Sequence, residues 1–367
     1  MFKIKNYKSI LLLFLIFFSF GFSNKNIEYF SIKTSNYLCN QNIHVIEFDP
    51  NFFEIKLIKA LDNGLGRESV LSIAKRSNAI AAINGGFFTI GTKYDGKACG
   101  TLKIHDWYSL PTKPRGCIGW NKKNEFIFDR LLVNIEGYYE TFSFKIDGLN
   151  RQRNKTEVIL FNSLFNKTTL TDIDGEEIII ENDVITEIIK NKSSNVIPHK
   201  GYILSIHKDH PLFNTFIIGS KIAFEFNILS QTDLTSSKDW EKREYILGGT
   251  PLLIYDNEKI IDFSSELTIL SFLNNKHSRT AIGVLPNGRM IFIVVDKTSI
   301  YDGMTMYELL DLLCSFNCMY ALNLDGGGSS TMVFENEIKN SPHGDEDEDK
   351  SKNITRRISD AIIINSK

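Results

Sequence analysis

The sequence has almost no net charge: 42 Lys and Arg stand against 44 Asp and Glu, a formal −2 at neutral pH. Such a surface has no general attraction for nucleic acid or anionic lipid, so any anion bound by this chain is held locally. Beyond residue 23 no apolar run is long enough to span a bilayer as a helix. His, Cys and Glu never fall in zinc-ligand spacing, and there is neither a Walker loop nor a dinucleotide fingerprint. A Gly-x-Ser-x-Gly elbow is also missing, which weighs against a serine hydrolase built on Ser329 or Ser330. The acidic run Asp345 to Asp349 lacks the alternating ligands and glycine of a calcium loop and reads as a solvated segment. No metal and no cofactor is expected.

What is present begins with a leader. Lys3, Lys5 and Lys8 precede the apolar run from Ile10 to Phe20, and the small residues Gly21 and Ser23 follow. This is the pattern of a secretory signal peptide, with a signal anchor as the alternative. The expected organisation is a signal peptide over residues 1–23, N-terminal strands over 24–68 and the main domain over 69–367. The mature protein is expected to be exported, periplasmic or secreted, without stable membrane insertion. In an oxidising compartment Cys99 and Cys117, which bracket a Gly/Pro-containing stretch, are expected to form a disulfide. Cys314 and Cys318 suit either a bridge or two buried thiols, which leaves Cys39 over. Sequons at Asn154, Asn166, Asn191 and Asn353 matter only in a eukaryotic secretory route.

With 43% hydrophobic and 12% aromatic residues the chain can bury a large core. Alternating apolar positions predict strands over residues 27 to 60. They also predict a meander of short strands from 120 to 265, including Phe126–Phe128, Phe142–Ile146, Val158–Phe161, Ile178–Ile180, Tyr202–Ile206 and Phe213–Ile218. A short helix is expected over 69–77. A second follows a capping box made by Thr305 and Glu308, with Leu309, Leu312, Leu313 and Phe316 as its apolar stripe. The fold class is α+β, with mixed β-sheets and a few packed helices. Two places share one plan, a helix and then a short buried strand ending in Asn and a Gly-Gly turn: 69–86 and 305–327. Ala82-Ile83-Asn84 matches Ala321-Leu322-Asn323, so an internal duplication is possible to draw. It would bring both glycine loops to one edge if the strands lay parallel in one sheet.

Those loops carry the candidate chemistry. Glycines after a buried strand bring backbone N–H groups close to a ligand, and consecutive inward N–H groups form an anion site. Gly85 and Gly86 follow Asn84; Asn323 and Asp325 precede Gly326, Gly327 and Gly328, and Ser329, Ser330 and Thr331 follow. The bland alternative is a tight turn, and an Asp after a buried strand often only caps such a turn.

At these residues the chain resembles the phosphodiester glycosidases of the uncovering-enzyme type. The resemblance rests on Asn84-Gly85-Gly86-Phe87-Phe88, Arg279-Thr280-Ala281-Ile282-Gly283-Val284, Asn323 through Met332, and Ser359-Asp360-Ala361. Departures stand at Ser278, Thr250, Lys297 and Arg357, and they bear on loop shape and substrate preference. The resemblance implies hydrolysis at the anomeric carbon of a sugar-1-phosphodiester, in a glycan or envelope polymer. Phosphate is a weak base and needs little help to leave. Asp325 is the first candidate for base or nucleophile and Asp296 the second. Arg279 is the candidate phosphate clamp and His277 a proton donor or orienting group. Asn84 and Asn323 are expected to bond sugar hydroxyls or each other's loops; Phe87, Phe88 and Tyr301 stack on a sugar or belong to the core. A non-catalytic polysaccharide-binding protein is the alternative.

Overall fold

The computed structural model describes residues 26–36, 39–232, 235–266, 268–342 and 355–367. The expected leader and the acidic run Asp345 to Asp349 lie outside these residues. Four sheets hold all the described strands. One contains Ile27–Asn36, Cys39–Phe48, Met290–Val295, Arg279–Val284, Tyr320–Asn323, Leu252–Tyr255 and Glu258–Lys259 in spatial order, every neighbour antiparallel. A second contains Glu337–Ile338, Met332–Phe334, Ala81–Asn84, Asp360–Ser366 and Phe53–Lys59, also antiparallel throughout.

These two sheets face each other, which explains strands that are apolar on both sides. Ile46, Phe48, Phe292, Val294 and Leu322 of the first meet Leu57, Ile83, Ile362 and Ile364 of the second in one core. The alternate residues point outward and are covered by helices. Val45, Ile291, Ile293 and Ala321 pack under the helix Met306–Ser315, whose Leu309 and Leu313 are fully buried. Ala82, Val333, Ala361 and Ile363 pack under the helix Val70–Arg76. The result is four layers, helix, sheet, sheet, helix. Burial on both faces replaces the polar-out alternation of an open antiparallel sheet. Both helices begin as the sequence predicts: Thr305 and Glu308 close a reciprocal capping box, and Ser69 accepts from the Ser72 N–H.

Most strands of the meander, joined by Leu102–Ile104, Asp106–Ser109 and Arg115–Trp120, form the other two sheets, packed on one another through Leu131, Val133 and Ile135 on one side and Val158, Leu160, Ile178 and Leu204 on the other. Two expectations need correction here. Phe213–Ile218 is a series of turns: Phe216 is buried, but Ile217 and Ile218 are exposed, and the strand begins later, at Ile222–Ser230. The sheets are also less mixed than expected, because Gly148–Leu149 on Val158–Asn162 is the one parallel pair among the described strands. The strands Ala81–Asn84 and Tyr320–Asn323 lie in different sheets, so the shared local plan does not extend to a shared sheet.

The expected disulfide does not form. Cys99 is exposed with its sulfur 3.1 Å from the Thr89 hydroxyl, whereas Cys117 is buried in the core of the other half beside Thr101. Cys314 and Cys318 are unbridged as well. Burial pushes the Cys117 and Cys318 thiols up to about 12, so both are poor nucleophiles. Maleimide titration of the native protein is therefore expected to modify Cys99 first and to spare Cys117 and Cys318 until unfolding. A reductant should leave the melting temperature unchanged, and a drop on reduction would indicate a bridge.

Candidate functional site

Antiparallel pairing brings the chemistry-bearing strand ends of the two facing sheets to one edge. Arg279 pairs with Val295, which puts Asp296 beside it, and Ala281 pairs with Asn323 two residues before Asp325. In the facing sheet Ala361 pairs with Asn84, so Asp360 enters next to the Asn84-Gly85-Gly86 turn. Asn84 joins the sheets. Its Nδ2 donates to the Asp325 carbonyl at 2.8 Å, and its Oδ1 accepts from the Thr280 hydroxyl at 2.8 Å and the Thr331 N–H at 3.1 Å. Thr280 also donates to the Ser330 hydroxyl, and the Asp325 N–H reaches the Gly85 carbonyl. Both glycine loops thus meet although their strands lie in separate sheets.

The amides expected to cradle a phosphate are mostly engaged within this junction. Gly85 and Gly86 donate to the backbone carbonyl and the Oδ1 of Asp360, both at 2.8 Å. Gly326 donates to the Asp325 carboxylate and Gly327 to the Ser278 carbonyl, each at 2.9 Å. Gly327–Ser329 then forms a single 3-10 turn with Ser329, Ser330 and Thr331 fully buried. Glycine is required at 85 because a Cβ there would stand 2.1 Å from the Asp360 carboxylate. At Gly328 the Arg356 guanidinium packs where a side chain would be, its Cζ 2.6 Å from that position, so a larger residue there would displace Arg356.

The carboxylates of this edge have opposite characters. Asp325 is only partly exposed; burial pushes its carboxyl up from 3.8 to about 6, the nearby Asp360 adds to the rise, and the Ser329 hydroxyl, the Gly326 N–H and Arg356 oppose it. Asp296 is fully buried, and burial alone would raise it. His44 Nε2 at 3.0 Å, Asn42 Nδ2 at 2.7 Å, the Ser341 N–H at 2.9 Å and Asn340 Nδ2 at 3.2 Å outweigh burial and hold it below the usual carboxylate range. Its oxygens are all used, so Asp296 ties strands together and is not poised to react.

Asp360 was not singled out as a reacting group in the sequence, nor were its partners. It is buried, one oxygen receives the Gly86 N–H and the other has no hydrogen bond among the described residues, and burial raises its carboxyl. Lys59 faces it from the neighbouring strand, donating to the Ser359 carbonyl and hydroxyl and to the Gly96 carbonyl; burial pushes its ammonium down to about 8. A charged residue opening an otherwise apolar strand, as Asp360 does in Asp360–Ser366, is the signal that could have marked it.

Arg279 is fully buried. Its Nε donates to the Met304 carbonyl at 2.8 Å, and its Nη2 to the Phe272 and Asn275 carbonyls at 2.9 Å each. Burial lowers it to about 10, and Nη1 alone makes no hydrogen bond among the described residues. Its guanidinium stacks on the Phe272 ring, 5.1 Å from the centroid. That ring, with Phe87 and Ile269, forms the apolar side of a cavity of about 360 Å³ whose rim is Gly248, Gly249, Thr250 and Arg115. Thr250 and Asn323 exchange backbone and side-chain bonds, so the cavity adjoins the Asp325 loop. His277 is half-buried, and burial lowers it together with the charges of Arg279 and Lys297. Asn323 bonds Thr250 and Leu324 and so holds its own loop. Phe88 belongs to the core under the helix Val70–Arg76. Tyr301 is partly buried in the loop after Asp296.

The departures from the family pattern are built into this edge. Ser278 Oγ accepts the Lys297 N–H at 2.8 Å, so two of them support each other. The Thr250 hydroxyl donates to the buried Glu266 and accepts from Arg115, which anchors the cavity rim.

The sequence profile described as phosphodiester glycosidase matches residues 174–365, slightly more than half of the chain. An uncharacterised protein of Rickettsia conorii is 28% identical over 246 residues, 61% of this chain and 77% of that protein. The N-acetylglucosamine-1-phosphodiester alpha-N-acetylglucosaminidase of Bos taurus is 30% identical over 93 residues, 25% of this chain and 18% of that enzyme. Among solved structures, a hypothetical protein from Synechocystis superposes with a TM-score of 0.79 at 19% identity over 94% of this chain and 62% of that one. A protein from Burkholderia pseudomallei superposes at 0.72 and 17% identity, over 89% of this chain and 74% of that one. The two superpositions establish a shared fold.

The opposite carboxylate environments give opposite stability effects. A raised carboxyl favours folding at low pH, and Asp325 loses that contribution as pH climbs from 3.8 toward about 6. A lowered one, Asp296, contributes above its unfolded range and loses it in acid. At pH 7 Asp325→Asn is expected to raise the melting temperature, whereas Asp296→Asn should cost about 2–4 kcal/mol by leaving buried donors unmatched. Thermal melts of both variants across pH check this, and a loss in both would make Asp325 a structural residue as well.

Proposed function

The chain belongs to the phosphodiester glycosidase family, and from that premise we propose that it hydrolyses the bond between the anomeric carbon of a sugar and a phosphodiester oxygen. The observation that carries this reading is Asp325: a partly exposed carboxylate, raised toward neutrality, at the junction of the two glycine loops and beside the cavity of Phe87 and Phe272. Above pH about 6 it is ionised yet basic enough to take a proton from water. That water adds to the anomeric carbon while the sugar–oxygen bond breaks, and the electron pair leaves on the phosphate, which departs as a phosphomonoester. Asp360 sits behind the Gly85-Gly86 turn, and its nearby carboxyl adds to the rise of Asp325.

Arg279 supports the reaction mainly by position in this reading. With three donors tied to carbonyls it fixes the segment around Phe272, which leaves Nη1 for the phosphate. His277 and Asp296 serve as neighbours that orient loops. The substrate is proposed to be an N-acetylglucosamine-like 1-phosphodiester in a glycan or envelope polymer, reached after export directed by the leader. No helix among the described residues is long and apolar enough to cross a membrane. One observation favours the alternative, a polysaccharide-binding protein without catalysis: the amides of Gly85, Gly86, Gly326 and Gly327 are already engaged.

The test is release of free sugar from a panel of sugar-1-phosphodiesters by the purified protein. Activity is expected to fall below pH about 6 as Asp325 protonates, in line with its raised carboxyl. Asp325→Asn should lower kcat by about 10²–10⁴, and Arg279→Lys should raise KM more than it lowers kcat. No release from any member of the panel, with binding retained, would favour the alternative.

A further inference from the structure

A second cavity, of about 490 Å³, opens on the far side of Cys99 from the one described above, and Cys99 lines both. The segment 110–115 forms a common wall: Leu110, Pro111 and Thr112 face the second cavity, Lys113 and Arg115 the first. The two differ in chemistry. The first has an aromatic side made by Phe87 and Phe272, whereas the second is lined by Lys97, Lys145 and Arg151 with Asp147 and Glu157.

We infer that the two cavities form one trough that holds an extended chain of sugar phosphates, the second cavity taking the units beyond the scissile phosphate. The inference rests on the proposed phosphodiester glycosidase reading for the identity of the first cavity. Flat aromatic faces suit the apolar face of a sugar ring, and guanidinium and ammonium groups suit phosphate. The carboxylates of the second cavity accept from sugar hydroxyls. Arg151 is engaged within the wall: it donates to Glu157 at 2.7 and 3.0 Å and to the Gln152 and Asp147 carbonyls at 2.8 and 2.7 Å, so it braces the second cavity and adds its charge there. Lys145 is different: its side chain is 77% exposed and its nearest carboxylate, Asp147, stands 4.0 Å away, which leaves its charge for a ligand. A single sugar phosphodiester would fill the first cavity alone, and a polymer would use both.

The test compares a single-linkage sugar-1-phosphodiester with an oligomer of the same repeat. Lys145→Glu is expected to raise KM for the oligomer about five- to tenfold and to leave kcat/KM for the single-linkage substrate unchanged. Binding is read separately in the Asp325→Asn protein, with Cys39 and Cys314 replaced by Ser and an environment-sensitive fluorophore on Cys99. Because Cys99 lines both cavities, both compounds should give a saturable signal, and Lys145→Glu should weaken that of the oligomer and leave that of the single-linkage compound unchanged. If no sugar is released but this response persists, the trough stands and the catalytic reading falls. If sugar is released with equal kcat/KM for both lengths and Lys145→Glu leaves the oligomer signal unchanged, the trough is overturned while the catalytic reading stands.

Discussion

The whole edge depends on the side-chain amide of Asn84. It bonds the backbone beyond Tyr320–Asn323 with its nitrogen, and Thr280 and Thr331 with its oxygen, so it links two sheets that share no backbone ladder. An amide is suited to this because it donates and accepts at once. The linkage is buried, where an unmatched polar group costs more than a matched one gains, and the geometry is correspondingly fixed. Asp325 inherits its place from that bond, since its own carbonyl is the acceptor. Its carboxylate is thus set against Gly326 and Arg356 on a rigid base, and the cavity stands alongside.

A fixed edge also explains why neighbouring carboxylates differ so much. Asp296 meets four donors and keeps its charge; Asp325 meets the Ser329 hydroxyl, one amide, the charge of Arg356 and a second carboxyl, and burial still disfavours its charge. Perturbation of the second kind, at a group with access to solvent, is what acid–base chemistry near neutral pH needs. The same contrast separates the arginines. Arg279 braces three carbonyls from inside the wall, while Arg356 packs over the Gly327–Ser329 turn. The residue with the strongest local motif around it is therefore largely a brace.

Much of this was legible in the sequence where a local rule governs it. The capping box at Thr305, the helix after Ser69 and most of the alternating apolar segments read correctly, because propensity and period act over a few residues. Phe213–Ile218 misled because its apolar residues serve turns, with Phe216 alone buried. The Cys99–Cys117 pairing failed because Cys117 points into a core assembled from distant strands. The glycine loops show the harder limit. Glycine reveals that something approaches closely, but the partner of Gly85 is Asp360, 274 residues beyond Gly86 in its bonded register, and no local pattern names it. Lys59 was hidden for the same reason, as an apparent strand end that is in fact a buried cation.

The most direct measurement is a crystal structure of Asp325→Asn with a non-hydrolysable sugar-1-phosphonate diester. The account predicts the sugar against Phe87 and Phe272, the anomeric carbon with its water within about 3–3.5 Å of the residue-325 side chain, and the phosphonate toward Arg279 Nη1. A ligand bound elsewhere, with residue 325 facing only solvent, would contradict it.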